Sequence, residues 1–120
     1  MPERRITDRA SLGPDYSLRF VVKGHLFQGV RLANLSKGGC FILVPRASVG
    51  LFQAGALLEQ LRFEGEGLPD ASITGSVAYA FAPSPRLAVV GVGVHFVLLP
   101  PAVEEELKTF VEKRLADLGS

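Results

Sequence analysis

The chain has 120 residues, of which 48% are hydrophobic and 21% are charged, and its formal net charge is +1. This length and composition predict a single folded domain with a modest core, and they exclude an intrinsically disordered chain. A net charge so close to zero provides no overall field that would attract DNA, RNA or an anionic membrane surface.

The first fifteen residues predict a flexible, arginine-rich arm. Residues 1–15 contain three arginines, three acidic residues, two prolines and Gly13, and their bulky apolar side chains are those of Ile6 and Leu12. So little apolar surface does not hold a segment in a folded core. We therefore expect the barrel described next to begin at residue 16.

Six segments between residues 16 and 99 show the alternation or the short apolar runs of β-strands, with turn residues roughly every ten positions. In the fifth segment, Ile73, Val77, Tyr79 and Phe81 are expected to share one face, opposite Ser72, Thr74 and Ser76. The predicted strands cover residues 16–23, 27–33, 40–44, 57–63, 72–81 and 87–99, and a connection with one helical turn covers 46–56. Short strands avoid exposed edges by closing on themselves, so the sequence predicts an all-β fold, a six-stranded antiparallel barrel over residues 16–99.

Residues 100–120 predict an amphipathic C-terminal helix. Pro100 ends the last strand, and Pro101 suits the first position of a helix, where its missing N–H is not needed. Apolar residues then recur at helical spacing, at Val103, Leu107, Phe110, Val111, Leu115 and Leu118. We expect this stripe to pack on the barrel; the alternative is a dimer seam or a surface for a partner.

Cysteine usage and hydropathy favour a cytoplasmic protein without membrane insertion. Cys40 is the only cysteine, so an intrachain disulfide is impossible and a reducing compartment is expected. The longest apolar run, residues 87–99, is interrupted by glycines and by His95 and is too short for a membrane span. The arginines near the N-terminus also stand where a signal peptide would need an apolar block.

Two polar segments stand out from this framework. Arg5 and Arg9 lie four residues apart in the predicted arm, and Asn34, Ser36 and Gly39 lie in the predicted turn between the second and third strands. Guanidinium groups bind phosphate oxygens and purine edges, while short polar side chains and glycines allow a planar ligand to approach the backbone. The two segments together predict a ligand-binding site.

The order and spacing of these segments resemble the RxxxR and (D/N)xSxxG motifs of PilZ domains, which are bacterial receptors for cyclic di-GMP. The segment Gly93-Val94-His95-Phe96 is similar to the closing strand of that family, so the resemblance spans nearly the whole chain. It implies a PilZ-type barrel on which cyclic di-GMP clamps the arm and alters a surface for an effector protein. The processes implied are motility, adhesion or biofilm formation.

The resemblance also implies which residues bind cyclic di-GMP. An arginine at position 4 resembles the family members that hold a stacked pair of ligands, although Arg4 could equally be a solvated cation. Asn34 departs from the commoner aspartate, which adds a donor and removes a charge. Arg31 and Lys37 could extend the phosphate-binding surface. The implied ligand-binding residues are Arg4, Arg5, Arg9, Asn34, Ser36, Gly38 and Gly39.

Other functions fit the sequence less well. His25, His95 and Cys40 show no metal-ligand spacing and no order typical of a catalytic triad, so we expect no enzyme, no metal and no cofactor. A barrel for single-stranded nucleic acid would need aromatic platforms in a basic groove, whereas the chain has no tryptophan. The main alternative is a PilZ-like adaptor that recognises proteins and binds no nucleotide. We expect a monomer or a weak homodimer.

Overall fold

The computed structural model describes residues 9–82 and 84–119, which form a closed antiparallel β-barrel with a C-terminal helix. The six predicted strands and the helix are confirmed, and one additional short strand precedes them. The elements are β1 (Ala10–Ser11), β2 (Ser17–Val22), β3 (His25–Leu35), β4 (Gly39–Pro45), a 3-10 helix (Arg46–Leu51), β5 (Leu57–Glu64), β6 (Ile73–Phe81), β7 (Val89–Val97) and α1 (Pro101–Gly119).

The strands follow the order β1-β3-β2-β5-β6-β7-β4, and β4 also pairs with β3, which closes the ring. Every pairing is antiparallel. The contact between β4 and β7 is regular, from Gly39 opposite His95 to Pro45 opposite Val89. Closure gives each of the six barrel strands two neighbours, and β1 pairs with the end of β3 on the edge that β2 also uses.

Alternating side chains of the strands fill the barrel. Leu18, Phe20 and Val22 of β2 are fully buried, as the two-residue periodicity predicts. The ring of Phe20 stacks on Phe27 at a centroid distance of 5.5 Å and meets Phe52 edge-on at 5.9 Å. Phe52 follows the 3-10 helix, so this aromatic cluster attaches that connection to the core.

Helix α1 packs on the barrel through its apolar stripe. Its buried side chains include Val103, Leu107 and Val111. Phe110 meets the ring of Tyr16 edge-on at 5.7 Å, and the guanidinium of Arg114 lies 5.2 Å from the centroid of the same ring. Nη1 of Arg114 also donates to the Tyr16 hydroxyl at 3.3 Å. Within residues 9–82 and 84–119, no helix is long and apolar enough to cross a membrane.

The chain joins the barrel earlier than predicted. Ala10 and Leu12 are buried, and β1 pairs with the end of β3. A guanidinium nitrogen of Arg31 also donates to the carbonyl of Leu12 at 3.0 Å. Two modest apolar side chains suffice to hold this segment on the barrel because β3 also offers backbone groups for pairing. Composition alone does not reveal that pairing. The rest of the predicted arm, residues 1–8, lies outside the described residues.

A β-bulge overturns the prediction for the second half of β6. Ile73 and Val77 are buried as expected, but Tyr79 and Phe81 are 49% and 56% exposed. The register with β7 shifts between Val77 and Tyr79, where Ala78 is an extra residue. An extra residue in one strand turns the side chains beyond it to the opposite face. Both aromatic rings therefore lie on the outside of the barrel.

Candidate functional site

The turn between β3 and β4 is built around Ser36. Its hydroxyl donates to the carbonyl of Gly39 and accepts from the Gly39 N–H, each at 3.1 Å, and the Ser36 N–H donates to the same carbonyl at 2.8 Å. The Ser36 residue is 1% exposed. These bonds satisfy a buried hydroxyl and fix the turn. Ser36 thus holds the turn together, and its direct contact with a ligand, which the resemblance implied, stays a prediction.

The two glycines of this turn serve different purposes. A Cβ on Gly39 would collide with the carbonyl oxygen of Val94 on β7. Position 39 therefore needs a glycine because a neighbouring strand, and not a ligand, approaches closely there. A Cβ on Gly38 would have no atom within 4 Å. Gly38 is exposed, and its carbonyl accepts from the Phe96 N–H at 2.9 Å. The turn is therefore fixed on its barrel side and open to solvent at Gly38.

A hydrogen bond joins the N-terminal segment to this turn. Nη1 of Arg9 donates to Oδ1 of Asn34 at 2.9 Å in an exposed position. The bond uses one of the five N–H donors of the guanidinium. Because the asparagine side chain is neutral, the contact leaves the positive charge of Arg9 uncompensated by Asn34, whereas an aspartate would form an ion pair. Arg9 and Asn34 are thus brought together as the sequence predicted, with a cation presented to solvent.

The other basic candidates are placed unequally. Lys37 is exposed in the turn, and His95 is exposed on β7 directly opposite Gly39. One guanidinium nitrogen of the exposed Arg31 donates to the carbonyl of Leu12 and so anchors the N-terminal segment. Its part in a phosphate-binding surface stays a prediction. Arg4 and Arg5 lie outside the described residues.

Cys40, the first residue after the turn, is a buried and unreactive thiol. It is 0% exposed, and burial raises its pKa to about 12, although the nearby charge of Arg9 acts in the opposite direction. A thiol with this pKa stays protonated at neutral pH and is a poor nucleophile. No cluster of three or more metal-ligating side chains occurs within residues 9–82 and 84–119.

Two aromatic residues lie near each other on the outer face of the barrel, a position that the sequence analysis did not predict for either of them. Phe41 pairs with Asn34 across β3 and β4 and is half-buried, and the exposed Tyr79 lies 6.3 Å from it between ring centroids. The available sequence signal was the presence of Gly91 and Gly93 in β7, because glycine within a strand often marks a close approach by another group.

Comparison with known proteins places the chain in a family. The PilZ domain family matches residues 3–113, which include the turn and both arginines of the N-terminal motif. The chain belongs to the PilZ family. No curated protein matches this PilZ domain.

Solved structures share the fold of this PilZ domain. It aligns with the K. pneumonia MrkH–c-di-GMP complex at a TM-score of 0.80 and 14% identity, over 98% of this chain and 55% of MrkH. It aligns with the PilZ domain of YcgR from Escherichia coli with c-di-GMP at a TM-score of 0.77 and 18% identity, over 97% of this chain and 95% of the YcgR domain. Its alignment with the Bacillus subtilis inhibitor of motility MotI/DgrA has a TM-score of 0.73 and 17% identity, over 97% of this chain and 53% of MotI/DgrA. The chain therefore spans about half the length of MrkH and of MotI/DgrA.

Proposed function

We propose that this PilZ domain is a receptor for cyclic di-GMP. The observation that carries the proposal is the contact between Arg9 and Asn34, because it joins the two motif segments on an exposed surface beside a turn that Ser36 holds in place. The family membership supports it, as do the MrkH and YcgR structures of the same fold, which contain c-di-GMP.

The chemistry of the ligand suits these groups. A cyclic dinucleotide carries two phosphodiesters and two guanines, and a guanidinium binds either kind of acceptor, phosphate oxygens or the O6 and N7 edge of guanine. Arg9 supplies such a group, the amide of Asn34 can donate to a guanine or phosphate oxygen, and Gly38 leaves room for a flat ligand. Arg5 and Arg4 would complete the set from the N-terminal side.

Binding would act as a clamp on the N-terminal segment. Charged hydrogen bonds contribute roughly 1.5–3 kcal/mol each, so three or four of them give roughly 4.5–12 kcal/mol before the cost of ordering the segment. Micromolar affinity corresponds to about 8 kcal/mol and lies within this range. A ligand that binds only the clamped arrangement shifts the population towards it. The rearranged surface would then contact an effector protein that controls motility, adhesion or biofilm formation in the bacterial cytoplasm. The domain would act by binding and not by catalysis.

Titration calorimetry with cyclic di-GMP tests the proposal. We expect near-micromolar binding by the wild type and no measurable binding by the double variant Arg5→Ala, Arg9→Ala. The control is Arg19→Ala, Arg86→Ala, which removes the same charge from two other exposed arginines and should bind normally. The stoichiometry would show whether one or two ligands are held, and thereby what Arg4 does. Absence of heat with the folded wild type would refute the receptor and favour the protein-only adaptor.

A further inference from the structure

A groove of about 850 Å³ lies along one face of helix α1. Its walls are the helix, Tyr16 and the turn after β5, which contributes Glu66 and Gly67. A Cβ on Gly67 would lie 3.3 Å from the Phe110 ring, so this ring rests against the turn. The central helix residues that line the groove recur at helical spacing and are Glu105, Glu106, Thr109, Phe110, Lys113 and Arg114.

The charges along this face of α1 form two blocks of opposite sign. Glu105 and Glu106 lie in its N-terminal half, and Lys113 and Arg114 lie about 12 Å further along the helix axis. Glu105, Glu106 and Lys113 are exposed. Among the described residues, none forms a salt bridge with these three side chains. Each block is therefore available to a group of opposite charge.

The guanidinium of Arg114 is only partly satisfied in the wall of the groove. Its Nη1 donates to the Tyr16 hydroxyl at 3.3 Å, and the group lies 5.2 Å from the centroid of that ring. Its Nε is buried and has no hydrogen-bond partner within residues 9–82 and 84–119. A buried donor without a partner is costly, and a guanidinium binds a carboxylate more strongly than it binds a neutral hydroxyl. The groove therefore favours an incoming acidic side chain beside Arg114.

The face is complementary to itself in the antiparallel sense. When a second copy of α1 lies antiparallel, with a twofold axis next to Thr109, Glu106 faces the partner's Lys113. Glu105 faces the partner's Arg114, and symmetry repeats both contacts. A parallel arrangement would place acid against acid and base against base, which is repulsive. Charge complementarity thus selects a second copy of this chain, in one orientation, as the occupant of the groove.

We propose that two copies of this PilZ domain form a dimer in which their α1 helices pack antiparallel along this groove. The half-buried Phe110 lies at the centre of the contact, beside the exposed Thr109. The apolar stripe of Val103, Leu107 and Val111 remains on the barrel, so the fold does not rearrange. A single helix face is a small interface, so we expect a dimer with a dissociation constant near micromolar. This inference goes beyond the receptor function and does not depend on it.

Charge reversal tests the contact between Glu106 and Lys113. We expect sedimentation equilibrium of the wild type to show a reversible dimer, and Glu106→Lys or Lys113→Glu alone to weaken it about tenfold or more, because each creates two like-charge contacts. The double variant Glu106→Lys, Lys113→Glu restores opposite charges and should dimerise as the wild type does. Glu104→Lys makes the same charge change on the same helix outside the groove and should have no effect.

A cysteine at the twofold axis tests the orientation of the helices. The native Cys40 is buried, with a pKa raised to about 12, so it does not compete for oxidation at neutral pH. The two copies of Thr109 lie on either side of the axis, and mild oxidation of Thr109→Cys should therefore give a disulfide-linked dimer. Lys108→Cys, which is also exposed on α1 but outside the groove, should remain a single chain on a non-reducing denaturing gel.

The possible outcomes decide the occupant of the groove. A wild type that keeps the mass of one chain at the highest concentration would overturn the dimer and leave the groove to a helix of another protein. A dimer that Glu106→Lys does not weaken would use a different surface, which would overturn the proposal equally. Weakening by each single reversal, recovery in the double variant and crosslinking of Thr109→Cys would establish it. Failure of the receptor proposal would change none of these results.

Discussion

The two motif segments that meet at the candidate site are held in very different ways. In the turn, Ser36 is 1% exposed and exchanges three hydrogen bonds with Gly39, which itself lies against β7. On the other side, Arg9 reaches Asn34 through an exposed side-chain hydrogen bond. One segment is part of the barrel, and the other presents polar groups to solvent. Ser36 and Gly39 therefore build the turn, whereas Arg9 and Asn34 are available to contact a ligand.

Replacing Gly39 should have the largest effect on stability. In Gly39→Ala the new methyl group meets the Val94 carbonyl of a paired strand, which cannot move without breaking the contact between β4 and β7. Overpacking of this kind costs typically about 1–3 kcal/mol and occasionally more, and we expect the upper end. Urea unfolding measures the loss. Gly38→Ala is the matched control, since its methyl group enters open space, and equal losses for the two variants would refute the distinction.

Removing the hydroxyl of Ser36 should come next. Ser36→Ala leaves the carbonyl and the N–H of Gly39 each without one partner in a buried turn, which costs about 1–3 kcal/mol. Asn34→Ala, in an exposed position, should change stability by less than about 0.5 kcal/mol while weakening binding of cyclic di-GMP. The same urea experiment compares them, and a larger loss for Asn34→Ala would reverse the assignment.

Arg9→Ala should alter affinity and leave stability nearly unchanged. The side chain is exposed, so its loss should change the free energy of unfolding by less than about 0.5 kcal/mol. Loss of one charged contact to the ligand should weaken binding by about tenfold, or about 1.4 kcal/mol. Calorimetry and urea unfolding on the same preparation test both halves of this statement. A destabilised Arg9→Ala protein would mean that the N-terminal segment is structural as well.

Cys40, on the buried side of the turn, provides a test that has no effect at neutral pH and appears only under alkaline conditions. Its pKa is raised from 9.0 to about 12 by burial, so the folded state holds the thiol proton more tightly than the unfolded state does. The resulting stability is fully present below pH 9 and is lost as the pH rises towards 12, with a slope of at most about 1.4 kcal/mol per pH unit. Cys40→Ala should lose less stability over this range. If the free energy of unfolding changed with pH equally in Cys40→Ala and the wild type, the burial of the thiol would be contradicted.

The barrel and the helix were predictable because their signals are local. Leu18, Phe20 and Val22 alternate in the sequence as they do in space, and the stripe of α1 follows the helical period. The outward turn of Tyr79 was not predictable, because a bulge is defined by the partner strand and not by the residues of β6. The burial of Ala10 likewise depends on an edge of β3 that exists only in the folded barrel.

The sequence predicted that two residues of the candidate site meet, but it did not predict how each polar group of the turn is bonded. Spacing brought Arg9 and Asn34 to attention, and the structure joins them. The same pattern could not distinguish Ser36, whose hydroxyl is consumed within the turn, from a residue that faces a ligand. That distinction depends on which atoms each polar group bonds, and residue types and spacing do not specify it.

The pairing of β4 with β7 also determines when the site can exist during synthesis. Gly39 is adjacent in sequence to the turn it completes, but the strand it rests on is translated more than fifty residues later. Pairings between such distant segments form late and slowly compared with local hairpins. A nascent chain that has emerged only as far as β6 carries every motif residue and still lacks the wall against which the turn is set. The turn therefore reaches its final geometry only when β7 closes the barrel.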